Sequence, residues 1–140
     1  MSDANDSTEA LIERLREQCP SLVSLDEAWF HEPIDNYSEQ VPAAYVYLAE
    51  DGADDEPNQL ARRQSVTQTY GVWLVAPRGA DFRACRQEIR TALFGWQPPG
   101  QDDLLAYRGG QMSQIIGAYM FWREFWTLET LYRARGPITI

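Results

Sequence analysis

Lysine is absent from this chain, histidine occurs once (His31) and cysteine twice (Cys19 and Cys85). With no lysine, Schiff-base chemistry and lysine–phosphate contacts are excluded. No Cys-x-x-Cys occurs and the single histidine has no second at ligand spacing, so a structural zinc site is not supported. Both cysteines fall in helix-like segments and read as small buried hydrophobes. Positive charge is scarce as well: 12 basic against 21 acidic residues leave a net charge of -9. That balance argues against a general nucleic-acid binder, which needs a dense positive patch to meet phosphate. No apolar run approaches the ~20 residues of a membrane span, and the acidic opening Met-Ser-Asp-Ala-Asn-Asp is the reverse of a secretory leader. These absences predict a soluble intracellular protein. Catalytic patterns are also missing: there is no Gly-x-Gly-x-x-Gly, Gly-x-x-x-x-Gly-Lys, His-Glu-x-x-His or Gly-x-Ser-x-Gly. We therefore expect no catalytic residue, no cofactor and no bound metal.

What the chain does have is apolar and aromatic. Its 140 residues are 44% hydrophobic and include five Trp, seven Tyr and five Phe, enough for one domain with its own core. We read residues 1–140 as that single domain, with flexible ends at 1–6 and 134–140. Residues 7–19 predict an amphipathic helix. Asp6 is suited to cap it, Glu9 completes a capping box, and Leu11, Ile12, Leu15 and Cys19 form one stripe. Pro20 stops it, and a short strand followed by a turn fits residues 21–30. Residues 43–49, Ala-Ala-Tyr-Val-Tyr-Leu-Ala, read as a central strand apolar on both faces. An acidic loop over 50–58 leads to a long strand from about Arg62 to Ala76, so a hairpin is the natural reading. Asp81 suits the cap of a second helix over 82–94, with Gly95 as its left-handed terminator. Then come a loop over 96–103, a short strand over 104–108, a turn or bulge at Gly109-Gly110, a further short strand over 112–116, and a long aromatic strand over 119–133. This order predicts an α+β domain: an antiparallel sheet of about four strands with two helices packed on one face.

Charge is unevenly distributed. Residues 1–60 hold fifteen acids and two arginines, and residues 61–140 hold six acids and ten arginines. Identical copies could therefore meet through complementary surfaces, and head-to-tail contacts of that kind close into rings. Tryptophans and arginines suit such contacts as anchors and bidentate partners.

Several segments, taken in order, resemble the tail terminator proteins of long-tailed bacteriophages. They are Val41 to Tyr47, Arg63-Gln64-Ser65-Val66-Thr67-Gln68-Thr69-Tyr70-Gly71-Val72, Ala92-Leu93-Phe94-Gly95-Trp96-Gln97-Pro98, Arg108-Gly109-Gly110-Gln111 and Trp122-Arg123-Glu124-Phe125-Trp126-Thr127. The resemblance runs from about Glu9 to Arg133. The stretches 21–40 and 50–58 depart from it. It implies a virion protein that is assembled in the host cytoplasm and sits at the head-proximal end of the tail. There a homo-oligomeric ring, of six copies, would cap the tail tube protein and stop its polymerisation. Its other face would meet the head–tail connector protein, and DNA would pass through the lumen without specific binding. Arg62, Arg63, Trp122 and Trp126 are the expected subunit contacts; Asp51, Asp54, Asp55, Asp102 and Asp103 are the expected lumen-facing acids, repelling phosphate. Two alternatives are another head–tail joining or tail completion protein, and a small enzyme with a pocket lined by His31, Tyr45 and tryptophans.

Overall fold

The computed structural model describes residues 6–28, 41–54 and 63–133. The elements run α1 (Thr8–Gln18), β1 (Ser24–Glu27), β2 (Ala43–Ala53), β3 (Arg63–Pro77), α2 (Ala80–Leu93), β4 (Ala106–Ile116) and β5 (Tyr119–Arg133). They make an α+β fold with one five-stranded sheet in the order β1-β2-β3-β5-β4. Four of its strands are antiparallel neighbours, as expected. The fifth, β1, pairs in parallel with β2 through Ser24 to Glu27, so the sheet is mixed.

Period-two alternation in β3 explains how the sheet acquires two packed faces. Tyr70, Val72, Leu74 and Ala76 point into the larger core. There they meet Leu11, Leu15 and Cys19 of the α1 segment and Cys85, Ile89 and Leu93 of α2. Trp73 and Val75 point the other way, into a smaller cluster with Ala43, Tyr45 and Phe121. Two glycines make close packing possible on the two faces. A Cβ on Gly71 would stand 2.2 Å from the Tyr47 ring, and one on Gly110 would stand 2.5 Å from Trp122.

The helix ends differ from the simplest capping pattern. Ser7 holds the cap position of α1, while Asp6 stands one residue earlier and its carboxylate accepts from Thr8 N–H at 2.9 Å. α2 begins two residues before Phe82, with Gly79 at the cap (φ 96°) and Asp81 inside the first turn. There its charge complements the helix dipole. Gly95 does adopt the left-handed conformation, at φ 73°.

One expected loop is strand, and of the turn or bulge read at Gly109-Gly110 the bulge is what forms. β2 continues through Glu50 and Asp51 to Ala53, because the 15-residue β3 offers it a continuous ladder after a register shift at residue 49. Gly109 and Gly110 do not turn the chain; they lie inside one strand, β4, whose ladder to β5 shifts register after Tyr107 and again after Met112. Both are β-bulges, in which one extra residue is absorbed without ending the pairing.

Candidate assembly surfaces

One end of the sheet is built from polar side chains held in a directed chain of hydrogen bonds. Ser7 N–H donates to the Tyr70 hydroxyl (2.8 Å), which donates to Gln68 Oε1 (2.6 Å). Gln68 Nε2 donates to the Tyr132 hydroxyl (3.1 Å), and Tyr132 donates to Asp51 Oδ2 (2.6 Å). Tyr70 is wholly buried, and burial pushes its hydroxyl up to about 12, so it stays protonated and keeps its donor role. The chain ties the start of α1 to the end of β2 and fixes the Asp51 carboxylate.

Asp54 leaves β2 on the opposite face. It accepts from Thr67 Oγ1 at 2.8 Å and from Ser65 Oγ at 3.3 Å. The loop before β4 reaches the same end of the sheet from the β5 side, where Thr130 Oγ1 donates to Gln101 Oε1 at 2.7 Å. It closes a cleft of about 430 Å³ whose lining includes Ser65, Asp102, Asp103, Glu129 and Arg133. Asp51, Asp54, Asp102 and Asp103 therefore converge on one end of the molecule, although they come from two distant segments. Asp55 lies outside the described residues, as do Arg62 and His31.

Of the expected contact residues, Arg63 is exposed at the tip of this end and pairs in register with Arg133. Two like charges set opposite each other repel. Trp126 is placed differently from the expectation. It is wholly buried in the subunit's own core, edge-on to Tyr107 with ring centroids 5.1 Å apart. Its indole N–H donates to Glu124 at 2.7 Å, and Trp122 N–H donates to the other oxygen at 2.8 Å. Trp122 is half-buried under α2, with the Arg86 guanidinium 4.6 Å from its ring centre and Phe82 edge-on to it. Trp126 from within the core and Trp122 from its half-buried margin together cradle a carboxylate that is itself 1% exposed. Burial raises the Glu124 carboxyl above its ordinary 4.5, against the lowering effect of the two indole donors. The cysteines are buried, as read: Cys19 is pushed up to about 12 and Cys85 to about 11, chiefly by burial, so both remain thiols.

Residues 112–116 read as a short strand in the sequence, but not as an exposed one. Met112, Ile115 and Ile116 of β4 are 49%, 42% and 46% exposed. Ser113 and Gln114 interrupt these apolar residues, and the pattern does not reveal that β4 lies at the sheet's edge.

Residues 1–135 match the sequence profile of the family described as phage tail terminator protein. Among solved structures, the chain is similar to a chain in "Virion of native gene transfer agent (GTA) particle", with a TM-score of 0.59 and 12% identity. That alignment covers 89% of this chain and 94% of the other, and it shows a shared fold. No curated protein sequence matches.

Proposed function

Because this chain belongs to the phage tail terminator protein family, a structural family of the virion and not an enzyme family, we propose that it forms a ring that ends the tail. The ring has six copies, seats on the last ring of tail tube protein at the head-proximal end and presents its other face to the head–tail connector. The observation that carries this reading is the family match over nearly the whole chain.

The geometry supports it in two ways. The acidic end of the sheet gathers Asp51, Asp54, Asp102 and Asp103, and repeated round a ring it supplies a negative lumen through which DNA slides without sticking. Arg63 stands beside Arg133 with no acid paired to it among the described residues, a position suited to an acid of the adjacent copy. Assembly takes place in the host cytoplasm, before the tail meets the head. Tails made without this protein test the reading. We expect tubes that run past their normal length and fail to join heads; tubes of normal length that join heads would overturn it.

A further inference from the structure

We propose that the outer edge of β4 on one copy seats against the α1–β1 side of the next, head to tail, and that this contact repeats round the ring. The inference rests on the ring reading above and adds which surfaces meet.

β4 is the end strand of the sheet, and none of its 11 residues is buried. Met112 pairs with Trp122 and Ile115 with Met120, while Ile116 pairs with Tyr119, so apolar side chains leave both faces of the edge. Soluble proteins usually blunt a free edge with charge, proline or shortness, because an open ladder recruits another strand. Here there is no proline and one charge, Arg108, along the whole strand. An edge of this kind fits β-augmentation by another strand.

The choice of partner follows from charge. β1 is the opposite end of the sheet, and α1 lies over β1 and β2. Together α1 and β1 carry five acids and two arginines. Toward the other edge β4 carries Arg108 alone, and α2, packed beside α1 and over β3, reaches β4 through Arg86 and adds three arginines and two acids. Among the described residues one ion pair forms, Arg16 to Glu13 at 2.6 Å; Arg14 and Arg86 stack on Trp96 and Trp122 and Glu88 accepts from Ser21, so Arg83, Arg90 and Arg108 on one side and Glu9, Glu17 and Glu27 on the other are the charges left for a partner. The acids of the α1–β1 side also crowd one another: after burial, Asp6, Glu9 and Asp26 together push the Glu27 carboxyl above its ordinary value. Two β4 edges set face to face would bring like charge together. Head to tail, basic meets acidic, and each copy uses two different surfaces, the arrangement that closes into a ring.

Two single-cysteine additions test this, Ser113→Cys on β4 and Asp26→Cys on β1, both at exposed positions. The native cysteines are 3% and 1% exposed and do not compete for a bismaleimide cross-linker. We expect a covalent dimer from the mixture of the two variants, none from either alone, and a ladder from a chain carrying both. A dimer from Ser113→Cys alone would overturn the proposal in favour of a β4–β4 contact. No link in the mixture, while the wild type sediments as an oligomer, would overturn this contact and leave the ring reading standing. A wild type that is monomeric both in solution and on purified tail tubes would sink the ring and the contact together. In parallel, Ile115→Lys with Ile116→Lys alters only exposed side chains, and should abolish the oligomer without moving the thermal midpoint.

Discussion

Replacing Trp126 by Phe separates a core role from a contact role. The indole is fully buried and gives one of the two N–H bonds that Glu124 receives. Removing a hydrogen bond to a charged group costs about 1.5–3 kcal/mol, and the smaller ring leaves a void that adds about 1 kcal/mol. The chain should lose about 2.5–4 kcal/mol at pH 7, or roughly 10 °C in thermal midpoint for a chain of this size. The loss depends on pH, with a definite sign. Glu124 titrates above its ordinary 4.5 in the folded chain, so its contribution is complete below 4.5 and is lost as pH climbs through the folded value. Losing a donor raises that value further, so the variant's deficit should be largest at neutral pH and shrink toward pH 4. Urea unfolding of both proteins across that range measures it, with the slope m unchanged. An unchanged midpoint accompanied by loss of self-association would refute the reasoning and return Trp126 to a subunit surface.

Gly71→Ala should cost about 1–3 kcal/mol, because its new methyl meets the Tyr47 ring; in a Tyr47→Ala background the cost should vanish, which a double-mutant unfolding cycle reads directly. Arg62→Glu with Arg63→Glu should leave the monomer's melting midpoint unchanged while preventing ring closure, checked by light scattering. Asp51→Asn and Asp54→Asn should each lower the unfolding free energy by about 1 kcal/mol or less, read by urea unfolding, because the bonds they weaken are exposed. Asp102→Lys with Asp103→Lys should give assembled rings a salt-sensitive affinity for DNA in filter binding that the wild type lacks.

Much of the fold was legible because its strongest signals are periodic. The stripe Leu11, Ile12, Leu15 and the set Cys85, Ile89, Ala92, Leu93 marked the core faces of both helices, and the aromatic run 119–133 marked β5 to the residue. The misreadings share a cause. Glu50, Asp51 and Gly52 have poor strand propensity, yet the long neighbouring β3 supplies a ladder that outweighs it. At Gly109-Gly110 the bulge and not the turn forms, and Gly110 is small so that Trp122 can pack over it. β1 is four residues long and pairs in parallel, an arrangement that no local pattern announces. Among the candidate site residues, the acids were recognisable by type, but their meeting at one sheet end depends on strand order. The tryptophans were ambiguous because a buried indole and an interface anchor look alike in sequence; the nearby Glu124 carboxylate, which needs donors, was the clue.

The proposed ring of identical copies stands between tail tube and head. Electron microscopy of intact particles, with an antibody or tag marking this chain, would locate it. A single labelled ring is expected at that junction. Label along the tube, at the tip, or absent from the particle would rule the ring out.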